Sequence, residues 1–96
     1  MSAPFNVVTT AHFDRLFRKL ARAHRELPEH LVVVCGVLQT DPYNRSRRSP
    51  IKKLTNVGPG EGQYRIRLGR FRFRYDIEGE IVYLKRCSLR REDTYR

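Results

Sequence analysis

The sequence has little cysteine. Cys35 and Cys87 form no CxxC motif and no Cys/His spacing of the kind that binds a metal, so we expect no metal site and two reduced thiols. Cys35 is most simply a small core residue. Cys87 would have a lowered pKa if its strand placed it beside arginines, but a buried structural role is the preferred interpretation for both.

Long apolar segments are also absent. No run approaches the ~20 residues of a membrane-spanning helix, and the first residues, MSAPFNVVTT, lack the basic start and apolar segment of a signal peptide. We therefore expect a cytosolic protein that does not enter a membrane.

Acidic residues are scarce relative to basic ones. In 96 residues there are 10 acids and 20 lysines and arginines, which gives a formal net charge of +10. A chain of this length has room for a single domain, residues 1–96, with one modest core. The excess of positive charge favours a nucleic acid or an acidic protein as partner, and an anionic membrane less so.

The most informative segment is Gln63–Tyr75, QYRIRLGRFRFRY, which contains no acid at all. Its period-two alternation predicts two strands joined by a two-residue turn at Gly69-Arg70. In that register Leu68 faces Phe71, Arg67 faces Arg72, Ile66 faces Phe73, Arg65 faces Arg74 and Tyr64 faces Tyr75. One face of the hairpin is then apolar and the other is entirely arginine.

Such an arginine face is best explained by an anionic partner. Like charges opposite each other destabilise a sheet by up to ~1 kcal/mol per pair, whereas the guanidinium fork binds phosphate with two parallel hydrogen bonds. The alternative is a solvated face, but solvated faces usually mix charges of both signs.

The N-terminal third predicts a strand and two helices. Phe5–Val8 is a short apolar run, and either Thr9 or Thr10 can cap a helix that starts at Ala11. Apolar residues then recur at helical spacing as far as Leu27, with a basic outer face, and Pro28 ends this helix.

The next segment, Leu31–Leu38 with the sequence LVVVCGVL, is ambiguous. Its three consecutive valines favour a strand, but the Pro28-Glu29 start and the Asp41-Pro42 stop bracket a helix of normal length. We predict a helix that forms an antiparallel hairpin with the first.

Residues 41–62 are rich in Pro, Gly, Ser and Asn and predict a basic surface loop. The candidate nucleic-acid-binding residues of this loop, which the resemblance described below assigns to RNA, are Arg45, Arg47, Arg48, Lys52 and Lys53.

After the hairpin, a turn at Glu78-Gly79 predicts a further strand over Ile81–Cys87. Its Tyr83 and Lys85 are expected beside Arg74 and Arg72 on the arginine face. Arg74, Lys85 and Arg90 complete the candidate RNA-binding residues.

Together these parts resemble the RelE/ParE superfamily of bacterial toxins from type II toxin-antitoxin systems, and the RelE branch most of all. The resemblance rests on the helical pair, on DP followed by IKKL, on YRIRLGRFRFRY and on the terminal RREDTY. It implies an α+β fold with two N-terminal helices packed on a small, mainly antiparallel four-stranded sheet.

For the RelE branch the resemblance implies an endoribonuclease, an mRNA interferase that cleaves messenger RNA in the A site of the 70S ribosome without a cofactor. The implied partners are the ribosome-bound mRNA and a cognate acidic antitoxin that folds on binding, in a hetero-oligomer able to bind operator DNA. The implied catalytic residues are Arg65, Arg67, Arg72, Arg91 and Tyr95, with Arg90 as an alternative to Arg91.

One departure from the family bears on mechanism. Arg65 and Arg67 stand where RelE has lysines, and arginine keeps its proton at physiological pH, so no residue is identified as the general base. His12, His24 and His30 all fall in the helical half and are not assigned to catalysis. The alternative functions are a ParE-like module that inhibits DNA gyrase by binding, and an inactive relative that only binds its antitoxin.

Overall fold

A computed structural model describes residues 4–90 of the chain. Within this range two helices lie on a five-stranded sheet in the strand order β1-β5-β4-β3-β2. The elements are β1 (Asn6–Thr9), α1 (Ala11–Ala23), α2 (Leu27–Thr40), β2 (Ile51–Lys53), β3 (Tyr64–Leu68), β4 (Phe71–Glu78) and β5 (Ile81–Leu89). The α+β class is confirmed, but the predicted count of four strands is wrong by one.

The additional strand is β2, which lies inside the predicted basic loop. It pairs antiparallel with β3, and Lys52 lies opposite Arg65. Three residues with a single apolar side chain at Ile51 give little period-two signal, which is why the segment reads as a loop from sequence. At the opposite edge β1 runs parallel to β5, so the sheet is mixed.

The first helix begins as predicted and ends earlier. Thr10 is its N-cap, and its side-chain oxygen accepts a hydrogen bond from the backbone N–H of Phe13 at 3.2 Å. The helix stops at Ala23, four residues before the predicted last residue Leu27, because His24 has extended backbone angles. Leu27 therefore belongs to α2, where Pro28 occupies the first turn.

The helix predicted over Leu31–Leu38 is confirmed as part of α2. Val34 and Leu38 are fully buried, while Val32 and Val33 face outward, so the valine run follows helical rather than strand geometry. The two helices pack chiefly on the sheet, α1 against β5 and α2 against β1 and β3.

The core lies between the helices and the apolar face of the β3–β4 hairpin. It contains Phe13, Leu27, Val34, Leu38, Ile66, Phe71, Phe73, Tyr75, Val82, Leu84 and Cys87. Tyr75 is buried completely, and its hydroxyl donates a 2.7 Å hydrogen bond to the carbonyl of Pro42. This face therefore anchors the hairpin and turns its arginines to the other side.

Candidate nucleic-acid interface

The register of the central hairpin is the predicted one. Arg65 lies opposite Arg74 and Arg67 opposite Arg72, on the face away from the buried Ile66, Phe71 and Phe73. Four guanidinium groups are thus placed in two cross-strand pairs on one surface of the sheet.

The neighbouring strands extend one of these pairs into a row. Arg86 of β5 lies opposite Arg74, and Lys52 of β2 lies opposite Arg65. The cationic row consists of Lys52, Arg65, Arg74 and Arg86, one residue from each of four adjacent strands. Since neighbouring strands are ~4.8 Å apart, the backbone positions of the row span about 14 Å. Arg86 was missed from the sequence because its place depends on a register shift in β5.

The prediction that Tyr83 and Lys85 lie beside Arg74 and Arg72 is wrong. The turn between β4 and β5 falls at Gly79-Glu80, one residue later than predicted, and Tyr83 lies opposite Asp76. Between the Tyr75–Leu84 and Arg74–Arg86 pairs, Lys85 is an extra residue in β5. Strand alternation alone gives no sign of such a bulge.

A cleft of about 640 Å³ opens between α1 and the arginine face. The sheet lines it with Arg65, Arg72, Arg74 and Arg86 and with Cys87, Ser88 and Leu89 of β5, and α1 lines it with Leu16, Lys19, Leu20, Ala23 and its C-cap His24. Apolar side chains thus stand beside guanidinium groups in a concave space, an arrangement that suits a ligand with both phosphates and flat bases.

Arg74 is oriented by the loop that precedes β3. Its Nε and Nη2 donate to the carbonyls of Gly62 and Glu61 at 3.1 and 2.8 Å. The loop is itself held by Asp76, a buried residue whose carboxylate accepts the backbone N–H groups of Gly62 and Gln63 at 2.8 and 2.9 Å. Asp76 therefore positions Arg74 through the loop.

His24 was not assigned to catalysis from the sequence, and the structure places it on the cleft. Its Nδ1 lies 3.0 Å from Nη2 of Arg70, and the same Nη2 lies 2.6 Å from the carboxylate of Glu26. This guanidinium holds the pKa of the Glu26 carboxyl below its usual value by hydrogen bonding. His24 follows Leu20 at helical spacing, but periodicity could not indicate its contact with Arg70.

The structure places the basic-loop residues that were predicted to bind RNA in different surroundings. Lys52 joins the cationic row, but Lys53 lies opposite Tyr64, with its ammonium 5.7 Å from the centre of that ring. The exposed residues Arg45, Arg47 and Arg48 precede β2, in a turn whose amides are bound by the Asp41 carboxylate.

Of the two other predicted RNA-binding residues, Lys85 lies in the middle of β5 and Arg90 directly after it. Lys85 lines a smaller cleft of about 400 Å³ together with Arg74 and Arg86. The backbone N–H of Arg90 donates to the carbonyl of Arg70 at 2.7 Å, so Arg90 lies beside the hairpin turn. Arg91 and Tyr95 lie outside the described residues.

The alternative of a reactive Cys87 is wrong. Cys87 lies opposite Phe73 on the core face, and burial raises the pKa of its thiol to about 12. Burial also raises the pKa of Cys35. Both thiols are free, as predicted, and the structural interpretation of Cys87 is confirmed.

Other kinds of site find no support in the described part of the chain. Between residues 4 and 90, no three His, Cys, Asp or Glu side chains form a group that could hold a metal ion. Neither helix in that range has the length and apolar character needed to cross a membrane.

Comparison with known proteins yields a structural match. Two helices on a mixed five-stranded sheet form a RelE-like α+β fold. A solved structure of the toxin-antitoxin complex RelBE2 from Mycobacterium tuberculosis contains a chain with a TM-score of 0.69 to this one and 25% sequence identity. The match covers 91% of this chain and 99% of that chain.

The resemblance to RelE-type toxins is thereby confirmed. No family model matches the sequence, and no curated protein matches it either.

Proposed function

We propose that this chain is the toxin of a type II toxin-antitoxin system and a ribosome-dependent endoribonuclease that cleaves messenger RNA in the A site. The observation that carries the proposal is the cationic row, of which Arg65, Arg74 and Arg86 line the cleft. Like charges at this spacing destabilise the sheet in the free protein. When a polyanion binds, the same charges contribute favourably to the free energy of the complex. The similarity to a chain of the RelBE2 toxin-antitoxin complex supports the role of toxin.

The proposed reaction is attack of a ribose 2'-oxygen on the adjacent phosphorus, with release of the 5'-oxygen of the next nucleotide. A base must take the 2'-hydroxyl proton, and an acid must supply one to the leaving oxygen. Arg65 and Arg72, which line the cleft, are suited to stabilise the charge that develops on the phosphate. Arg67, Arg91 and Tyr95 are assigned to the site by the resemblance to RelE.

Charge also supports an antitoxin as the second partner. A net charge of +10 favours an acidic, largely disordered segment that folds as it binds across the basic surface. Such a segment would inhibit the toxin by covering the cleft or by displacing the C-terminal tail. A structure of the complex in which the bound segment is basic, or touches neither the helices nor the sheet, would contradict this proposal.

The decisive experiment compares Arg72→Ala with Arg45→Ala on programmed ribosomes. Arg72 lines the cleft, whereas Arg45 is an exposed residue of the basic loop. We expect Arg72→Ala to lower the single-turnover cleavage rate about 10²- to 10³-fold, the usual loss when one donor to a developing negative charge is removed. Arg45→Ala should change mainly the affinity for RNA.

Induction in cells distinguishes this function from inhibition of gyrase. Messenger RNA fragments should accumulate without gyrase-linked DNA damage. If Arg72→Ala and Tyr95→Ala both remain toxic while gyrase-linked damage appears, the binding-module function replaces the nuclease.

A further inference from the structure

The two ring nitrogens of His24 differ in their hydrogen bonding. Nδ1 contacts Arg70 at 3.0 Å, whereas Nε2 has no hydrogen-bond partner within residues 4–90. The ring packs edge-on against Phe71, with the centroids 5.5 Å apart, and the residue is half-buried on the lining of the cleft. The side chain is therefore held in place with one polar atom still available.

The contact with Arg70 decides which nitrogen carries the proton. A guanidinium has five N–H donors and no acceptor, so Nδ1 of His24 must accept. In the neutral ring the proton is then on Nε2. Glu26 reinforces this arrangement, because its carboxylate binds the same Nη2 at 2.6 Å and fixes the position of the guanidinium.

From this geometry we propose that His24 is a hydrogen-bond donor to RNA, with Nε2–H directed to a phosphate oxygen in the cleft, and that it is not the general base. The inference rests on the proposed function, since it names a contact of the same site. It transfers no proton. To act as a base through Nε2, the ring would first have to move its proton to Nδ1 and lose the bond from Arg70.

The charged groups around His24 suit a phosphate oxygen as the acceptor of its hydrogen bond. Arg70 and Glu26 contact His24 or each other, and Lys19 and Arg72 line the same cleft. His30 has a different environment: its Nδ1–H donates to the carbonyl of Glu26 at 2.9 Å, and its ring packs on Phe71.

The test compares His24→Gln, which retains an N–H donor but cannot titrate near neutral pH, with His24→Leu, which has no donor. Single-turnover cleavage on programmed ribosomes is measured as a function of pH. Affinity is measured in parallel with an mRNA that carries a 2'-deoxy sugar at the cleavage site. Urea unfolding of each variant shows whether loss of the ring contact with Phe71 has affected the fold.

We expect His24→Leu to lose about 10- to 100-fold in rate, the usual range for one hydrogen bond to a charged group. His24→Gln should recover most of that loss, and the shape of the pH profile should be unchanged in both variants. Equal losses in both variants with a flattened pH profile would make His24 the base and overturn the inference. Wild-type rate and affinity in His24→Leu would overturn it as well.

The 2'-deoxy mRNA separates this inference from the nuclease proposal. If the wild type binds that RNA in a His24-dependent manner but cleaves no RNA, the proposed reaction fails and the donor role stands. If the wild type cleaves normally and only the His24 variants behave contrary to expectation, the donor role fails alone. Absence of both binding and cleavage in the wild type would overturn both.

Discussion

The two faces of the β3–β4 hairpin are built from alternate residues of the same short segment, and they contribute to different properties. Phe71, Phe73 and Tyr75 are completely buried, so their face stabilises the fold through removal of apolar surface from water. The opposite face carries Arg65 against Arg74 and Arg67 against Arg72, like-charge pairs of the kind that disfavour a sheet. Residues that cost stability at regular positions are best understood through what they bind.

The largest effect on stability is expected from a substitution on the apolar face of the hairpin. Phe73→Ala should lower the free energy of unfolding by about 3–5 kcal/mol, because it leaves a cavity in a fully buried position. The matched control is Arg67→Thr on the other face, where loss of one like-charge pair should leave stability within about 1 kcal/mol of the wild type or raise it. Urea unfolding followed by circular dichroism measures both. Equal destabilisation by the two changes would contradict the division between faces.

The arginine face should make the affinity for RNA depend on salt concentration. If about four phosphates are neutralised, affinity for single-stranded RNA should fall about 50-fold for a fourfold rise in salt concentration, because each contact releases condensed counterions. Titrations of a fluorescent RNA at several salt concentrations give the slope, and Arg86→Ala should reduce it by about one phosphate. Binding that is independent of salt would remove the electrostatic basis of the proposal.

The turn that joins β3 to β4 should give a smaller effect when it is changed. Gly69 has a φ of +60°, and a Cβ there would lie 2.7 Å from Nε2 of His30. Gly79 has nearly the same φ, +59°, and no atom of residues 4–90 lies within 4 Å of a Cβ built there. Both alanine variants should be destabilised by about 1–2 kcal/mol for the left-handed conformation, and Gly69→Ala should lose more because of the clash.

The comparison of the two turns depends on His30 being held by Glu26 and Phe71. Thermal unfolding of the two variants should rank Gly69→Ala below Gly79→Ala. Equal melting temperatures would mean that the His30 ring moves aside freely.

The smallest effect concerns Cys87 and alkaline pH. Its thiol has a folded-state pKa of about 12 against a usual value of 9.0, so above 9.0 the unfolded chain releases this proton and the folded chain retains it. The contribution to stability is complete below the unfolded pKa and is lost as the pH rises toward the folded pKa. Between about pH 8 and pH 10 the wild type should lose roughly 1 kcal/mol more than Cys87→Val. Parallel loss in both proteins, measured by urea unfolding, would contradict the buried position of the thiol.

The sequence predicts the central hairpin more accurately than the strands around it. Alternation and a two-residue turn determine the β3–β4 register, since a slip of one residue would put arginines in the core. The β4–β5 register depends on where the turn falls and on the extra residue Lys85, neither of which alternation specifies. Arg86 was therefore missed as a member of the cationic row.

The candidate site was predictable only in part, for a related reason. Arg65, Arg72 and Arg74 follow from the hairpin, and the structure brings all three to the cleft. His24 reaches the same cleft through the early end of α1 and a contact with Arg70, 46 positions away in the sequence. A contact over that distance depends on tertiary structure and leaves no local pattern.

The parallel pairing of β1 with β5 also determines the order in which the sheet can be completed during synthesis. Thr10, at the junction of β1 and α1, donates through its hydroxyl to the carbonyl of Leu84, 74 residues later in the chain. Residues 6–9 are synthesised before every other strand of the described sheet, yet their partner strand is the last of those strands to emerge. Closing so long a loop is slow compared with the formation of local hairpins. The first strand to be synthesised is thus paired only after almost all of the described chain has left the ribosome.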